Sequence, residues 1–128
     1  MATYSGRASW FCCYPDPCGC DGCCCQGSNC STPCGNSSYC GVGGCCTCRS
    51  GSYGFAWKTG CSWCCNYSLY KTVSCGASGT FVYGGRSRTG RRVDTGPSTC
   101  VMVDFTKALF TQFASLSTGI IYNVSATV

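Results

Sequence analysis

The fold is decided by three stretches: Arg91-Arg92-Val93-Asp94-Thr95-Gly96-Pro97, Val101-Met102-Val103-Asp104-Phe105 and Gly119-Ile120-Ile121-Tyr122-Asn123-Val124. In the second stretch two valines alternate with Met102 and Asp104, which predicts a short strand. Asp94-Thr95-Gly96-Pro97 has the residues of a tight turn. The third stretch is β-branched and alternating, which predicts a last strand.

Between the second and third stretches, apolar residues recur at spacings of three and four. They are Phe105, Leu109, Phe110, Phe113, Ala114 and Leu116. This spacing predicts an amphipathic helix of about three turns. Gly119 should end the helix, because glycine readily adopts the backbone conformation that follows a helix.

Outside this unit the strand signals are short and scattered along the chain. They cover residues 2–10, 54–57, 63–73, 80–83 and 92–93. Gly84-Gly85-Arg86-Ser87-Arg88-Thr89-Gly90 lies between two of them and predicts a hairpin loop. A total of about six strands and one short helix favours a mainly β chain with a small barrel over a sandwich or an α/β layer.

The chain has 128 residues, of which 18 are cysteines, and we expect a single domain over residues 1–128. Thirteen of these cysteines lie between Cys12 and Cys48, among Gly, Ser, Asn and Pro, so we predict a disulfide-rich loop region there. The candidate disulfide residues are Cys12, Cys13, Cys18, Cys20, Cys23, Cys24, Cys25, Cys30, Cys34, Cys40, Cys45, Cys46, Cys48, Cys61, Cys64, Cys65, Cys75 and Cys100. An even number permits complete pairing but does not identify the partners.

Zinc is the alternative use of so many cysteines. Cys45-Cys46-Thr47-Cys48 and Cys61-Ser62-Trp63-Cys64-Cys65 have spacings that occur in zinc fingers. The chain has no histidine, however, and its cysteines run together as doublets and a triplet. We therefore predict disulfides, with no metal and no cofactor, and an oxidising extracellular location.

Four triplets match the N-glycosylation pattern, with acceptors at Asn29, Asn36, Asn66 and Asn123. They modestly reinforce the prediction of secretion. No apolar run is long enough for a membrane span or a signal peptide, so we expect no membrane partner and expect that a secretion signal has been removed.

The charge is sparse, at a net +5, and glutamate is absent. The acidic residues are Asp16, Asp21, Asp94 and Asp104. Much of the positive charge lies in one cluster, formed by Arg86, Arg88, Arg91 and Arg92. A nucleic-acid site would combine such a cluster with aromatic residues on a recognised scaffold, so we predict a solvated loop in preference to an acidic-polymer site, and no nucleic-acid partner.

The first half of the chain contains Ser5-Gly6-Arg7-Ala8-Ser9-Trp10-Phe11-Cys12-Cys13, followed by Pro17-Cys18-Gly19. These segments resemble the opening Thr-Arg-Tyr-Trp-Asp-Cys-Cys and Pro-Ser-Cys-Gly of the endoglucanases of glycoside hydrolase family 45. Gly54-Phe55-Ala56 and Trp63-Cys64-Cys65-Asn66-Tyr67-Ser68-Leu69 are similar to their Gly-Phe-Ala and Trp-Cys-Cys-Ala-Cys-Tyr-Glu-Leu segments.

The second half resembles the wider group of expansins and rare-lipoprotein-A-like domains, through Val93-Asp94-Thr95-Gly96-Pro97, Val103-Asp104-Phe105 and Gly119-Ile120-Ile121. The match covers most of the chain in pieces, and residues 20–48 replace a longer and different segment of the cellulases. The resemblance implies a six-stranded double-psi β-barrel.

The resemblance also implies site residues. Asp104 stands at the position of the general acid of inverting β-1,4-glucan hydrolysis, and Asp94 at that of a neighbouring aspartate. Phe11 occupies the position of the general base, and phenylalanine cannot accept a proton from water. The histidine two places before the acid is replaced by Met102. A substitute base could come from Asp16 or Asp21 in the cysteine-rich region, provided that either faces the cleft.

Each of these residues has a structural interpretation as well. Asp94 could accept backbone N–H bonds in a turn, and Asp104 could lie in a cleft or bond to Arg92. Trp10, Trp57 and Trp63 could stack on sugar rings or could be core residues.

Three classes of function remain open. The first is a non-catalytic extracellular structural protein that assembles with copies of itself into a fibre, tube or coat, favoured by the missing base, the cysteine content and the low charge. The second is an expansin-like polysaccharide binder, and the third is an endo-β-1,4-glucanase. A defensin-like toxin fits less well, because such peptides are usually shorter and more basic.

Overall fold

The computed structural model describes residues 1–11, 52–57, 71–74, 76–95 and 101–128, with only the backbone of Asp94 and Thr95. Within these ranges lie six strands: β1 Thr3–Phe11, β2 Gly54–Trp57, β3 Ser78–Tyr83, β4 Arg86–Thr95, β5 Val103–Thr106 and β6 Ile121–Thr127. One turn of helix, α1 Lys107–Phe110, and one 3₁₀ turn, Leu116–Thr118, lie between β5 and β6.

The six strands close into a barrel in the order β1-β5-β2-β4-β3-β6. Two neighbouring pairs, β1 with β5 and β2 with β4, are parallel, and the other four pairs are antiparallel. The predicted mainly β class, with a closed six-stranded barrel and one short helix, is therefore confirmed. The predicted disulfide-rich region lies outside the described residues, as do all 18 cysteines.

The barrel interior is filled by aromatic rings from three strands. Phe81 contacts both Phe55 and Phe105, which pair with each other on β2 and β5, with ring centroids 4.9 Å and 4.8 Å away at steep interplanar angles. All three side chains are fully buried. Edge-to-face contacts of this kind add to the free energy gained by burial.

The predicted three-turn helix is wrong in length. Phe105 belongs to β5, and α1 makes a single turn before the chain continues in turns. The hydroxyl of Thr106, which precedes α1, donates to the Ser52 carbonyl and accepts from the Gly54 N–H, so it provides no helix cap. Gly119, with φ of 75°, follows the 3₁₀ turn.

The predicted hairpin loop is also wrong in length. Gly84 and Gly85 alone form the turn, with φ of 56° and 79°, and Tyr83 pairs with Arg86. Positive φ at both positions is what a type I′ turn requires. The predicted strand over residues 63–73 lies mostly outside the described residues, and residues 71–74 contain no strand.

The remaining strand predictions agree with the structure for residues 2–10, 54–57 and 80–83 and for the last strand. Asp94 and Thr95 are the last residues of β4, so the tight turn predicted to start at Asp94 does not start there. No helix in the described ranges is long and apolar enough to cross a membrane.

Candidate functional site

The candidate site is a row of four residues across adjacent strands. Ser9 of β1 pairs with Asp104 of β5, Asp104 pairs with Ala56 of β2, and Ala56 pairs with Asp94 of β4. The backbones of Asp94 and Asp104 therefore lie in one row, with Ala56 between them. One strand separates the two aspartates, so their Cα atoms are roughly 10 Å apart at ordinary strand spacing.

Asp104 lies on the outer side of the barrel wall. Its neighbours Val103 and Phe105 are fully buried in the core, and alternation along β5 turns Asp104 the other way. The Asp104 carboxyl accepts a hydrogen bond from the Ser9 hydroxyl. Burial raises the pKa of Asp104 above its ordinary value of 3.8, and the bond from Ser9 opposes that rise. A carboxyl in this environment holds its proton to a higher pH than an exposed aspartate does.

Arg92 was one expected partner of Asp104. Its guanidinium donates to the carbonyls of Val73, at 2.9 Å, and Trp57, at 3.4 Å. The Asp104 carboxyl has a described hydrogen bond from Ser9. Ser9 is therefore the residue that the structure adds to the candidate site.

The residue that the resemblance assigns to the general base offers no proton acceptor. Phe11 is the last residue of β1, partly buried, and pairs with Thr106 of β5. Met102, which the resemblance aligns with a histidine, is 1% exposed and packs under Gly6, where a Cβ would lie 2.8 Å from the Met102 Cβ. Asp16 and Asp21, the suggested substitutes, lie outside the described residues.

Comparison with known proteins supports the fold. No family model matches the chain, and no curated protein matches it. Among solved structures, the barrel is similar to Streptomyces papain inhibitor. That likeness covers 98% of this chain and 93% of the inhibitor, with a TM-score of 0.55 and 16% sequence identity. At this identity the likeness shows a shared double-psi-like barrel, and membership of the cellulase or expansin families stays a prediction.

Two of the three candidate sugar-stacking tryptophans are described. Trp57 is 1% exposed, donates its Nε1–H to the Lys71 carbonyl at 2.9 Å and packs on Tyr4 and Phe55. Of the two alternatives for Trp57, the structure shows the core residue, and a sugar ring cannot reach the faces of its indole. Trp10 is partly buried against the core and donates to the Leu116 carbonyl at 2.9 Å. Trp63 lies outside the described residues.

The arginine cluster lies on β4 and not in a loop, which corrects the sequence prediction. Arg86 donates to the Gln112 carbonyl at 2.9 Å, and Arg88 to the Gln112 side-chain oxygen at 3.1 Å. Arg91 donates to the Gly76 carbonyl at 3.2 Å. These guanidinium groups join β4 to neighbouring segments.

The remaining candidates are a metal site and the glycosylation acceptors. Across the described ranges, no group of three or more His, Cys, Asp or Glu residues could hold a metal ion. Asn123 is exposed on β6 with φ of 61°. Asn29, Asn36 and Asn66 lie outside the described residues.

Proposed function

We propose that this chain is a non-catalytic, extracellular structural protein whose barrel associates with copies of itself into a fibre, tube or coat. The observation that carries the proposal is Phe11. Inverting hydrolysis needs one carboxyl to protonate the leaving oxygen and a second to activate water. Asp104 is an acid with a raised pKa, and the resemblance assigns the second group to Phe11, whose ring accepts no proton.

Composition supports the same proposal. Eighteen cysteines among 128 residues suit a protein that must persist outside the cell. Only 10% of the residues are charged, so repulsion between copies is weaker than for an ordinary soluble domain.

Two measurements on the secreted, oxidised protein test the proposal. Incubation with carboxymethyl-cellulose should release no more reducing ends than the Asp104→Asn variant releases. Negative-stain electron microscopy and sedimentation velocity should show assemblies larger than one chain. Cleavage that disappears in Asp104→Asn would replace the proposal with the endo-β-1,4-glucanase, which the raised pKa of Asp104 favours.

An expansin-like polysaccharide binder is a further alternative. It would need exposed aromatic faces, and Trp57 provides none because it is buried. Sedimentation with insoluble cellulose or chitin tests this alternative, with bovine serum albumin as the control for adsorption.

The second candidate partner is a different protein, such as a protease. The specific observation is the likeness to an inhibitor of papain over nearly the whole chain. A papain assay with increasing amounts of the protein tests it: loss of papain activity at stoichiometric amounts would favour an inhibitor over a structural protein.

A further inference from the structure

Two adjacent strands of the barrel, β3 and β6, carry no charged residue. Their sequences are Ser78-Gly79-Thr80-Phe81-Val82-Tyr83 and Ile121-Tyr122-Asn123-Val124-Ser125-Ala126-Thr127. Phe81, Val124 and Ala126 point into the core and are fully buried. Alternation therefore turns Thr80, Val82, Ser125 and Thr127 to the outside.

The outward residues continue in register onto the flanking strands β1 and β4. One row across the four strands is all threonine, and the next is serine except for one valine. In the order β1, β6, β3, β4 the rows are Thr3, Thr127, Thr80, Thr89 and Ser5, Ser125, Val82, Ser87. We call these eight residues the hydroxyl face.

The threonine hydroxyls bond to each other in pairs. Thr3 and Thr127 are 3.0 Å apart between their Oγ1 atoms, and Thr80 and Thr89 are 3.2 Å apart. Each hydroxyl can donate one hydrogen bond and accept two, so every pair keeps capacity for further partners. Val82 is 41% exposed and is the one apolar side chain in the two rows.

Charge limits which side of one copy can meet another. Each copy carries a net +5, so a contact that brings the arginines of two copies together is disfavoured relative to one through an uncharged surface. Arg86 and Arg88 alternate with the outward Ser87 and Thr89, and both donate to Gln112. Arg91 pairs with Ser78 beyond the threonine row, and Arg7 of β1, two residues after Ser5, lies over the Tyr122 ring at 5.3 Å beyond the serine row. The two rows themselves are uncharged.

We propose that the hydroxyl face is the contact through which two copies of this chain associate, face to face, with Val82 of each copy at the centre. This inference rests on the proposed self-association. The seven hydroxyl groups of this face both donate and accept, so they can pair with the same groups of a second copy, and a symmetric contact uses the same surface on both copies. Such a contact closes a pair, so a fibre or tube would need a second, different contact.

The contact is small. Four strands about 4.8 Å apart, with rows about 7 Å apart, present on the order of a few hundred Å² per copy, below the roughly 800 Å² per partner of a standard stable interface. The pair should therefore be weak and depend strongly on protein concentration. Additional contacts in an assembly would strengthen it through high local concentration.

Sedimentation velocity over a concentration series tests the inference with four variants. Val82→Lys and Val82→Glu each place a charge opposite the same charge of the partner, and each should raise the concentration needed for association at least tenfold. Val82→Thr keeps a β-branched side chain and should associate like the wild type. Thr111→Lys adds the same charge at an exposed position after α1 and should also associate like the wild type.

An equimolar mixture of Val82→Lys and Val82→Glu is the decisive sample. If Val82 meets Val82, opposite charges now face each other and the mixture should associate at least as well as the wild type. Unchanged near-ultraviolet circular dichroism of each variant shows that the barrel is intact.

The outcomes separate the two proposals. A wild type that stays monomeric throughout refutes the proposed self-association. A wild type that associates while Val82→Lys associates equally, or while the mixture stays monomeric, overturns the hydroxyl face alone. Loss of papain inhibition or of polysaccharide binding in Val82→Lys, without any change in association, would assign the face to that other partner.

Discussion

Replacement of Phe81 by alanine tests whether the aromatic cluster holds the barrel together. The Phe81 ring is fully buried, and its centroid lies 4.9 Å from that of Phe55 and 4.8 Å from that of Phe105. Removing a buried phenylalanine side chain costs about 3 to 5 kcal/mol, because burial is lost and a cavity remains. The two edge-to-face contacts place Phe81→Ala near the upper end of that range, since each is worth about 0.5 to 1.5 kcal/mol.

The assay is urea or guanidinium unfolding of the oxidised protein, followed by tryptophan fluorescence. Val82→Ala is the matched control, because Val82 is the next residue of the same strand and points outward at 41% exposure. It should cost less than about 1 kcal/mol. Equal costs for the two variants, with unchanged slopes against denaturant, would refute the alternation of β3 and the position of Phe81 at the barrel centre.

Three further predictions concern single positions, each checked by unfolding measurements. Asp104→Asn should become more stable than the wild type as pH rises. The raised folded-state pKa of Asp104 stabilises the wild type fully below the unfolded-state pKa near 3.8, and this stabilisation is lost as pH rises through the folded-state pKa. Equal dependence of the unfolding free energy on pH in the two proteins would contradict the burial of Asp104. Gly6→Ala should cost about 1 to 3 kcal/mol, because the added Cβ would lie 2.8 Å from the Met102 Cβ; no loss would show that Met102 moves freely. Gly84→Asn should leave stability unchanged or raise it by up to about 1 kcal/mol, because asparagine accepts φ of 56° in such a turn; a loss above 1 kcal/mol would argue against a type I′ turn.

Most strands could be predicted because alternation and β-branched residues mark them locally. The error at α1 shows where that local signal fails. Leu109 and Phe110 are buried as a helix would bury them, but Phe105 satisfies the same spacing from within a strand. The apolar residues that predicted one helix therefore lie in three different structures: the end of a strand, a single helical turn and the turns that follow it.

The hairpin error has a different physical cause. Gly90 was assigned to a loop because glycines often mark turns. In the structure it lies inside β4, and a Cβ there would come 3.1 Å from both the Leu109 Cδ2 atom and the Tyr53 carbonyl oxygen. Glycine at this position allows close packing against other segments, which a local sequence pattern does not reveal.

The candidate site could be predicted only in part. Asp104 and Asp94 were found from a resemblance, whereas Ser9 was missed. Ser9 and Asp104 are 95 positions apart and meet through a parallel pairing of β1 with β5. The alternation of Ala8, Ser9 and Trp10 indicates that Ser9 faces away from Ala8, but no local pattern indicates which strand lies beside it.

The Asp104 row and the hydroxyl face lie on different parts of the closed sheet. The Asp104 row crosses β1, β5, β2 and β4, and the hydroxyl face crosses β1, β6, β3 and β4, on the other side of the closed sheet. The connections from β1 to β2 and from β4 to β5 contain 14 of the 18 cysteines and join strands of the Asp104 row. Two connections contain no cysteine. One leads from β3 to β4 and the other from β5 to β6, and β3 and β6 are the central strands of the hydroxyl face.

Substitutions at Asp104 and at Val82 should act independently, because the two rows share no residue and the effects of distant substitutions on stability usually add. A double variant whose effects on association and on unfolding depart from the sum of the single effects would show that the two surfaces are coupled through the barrel.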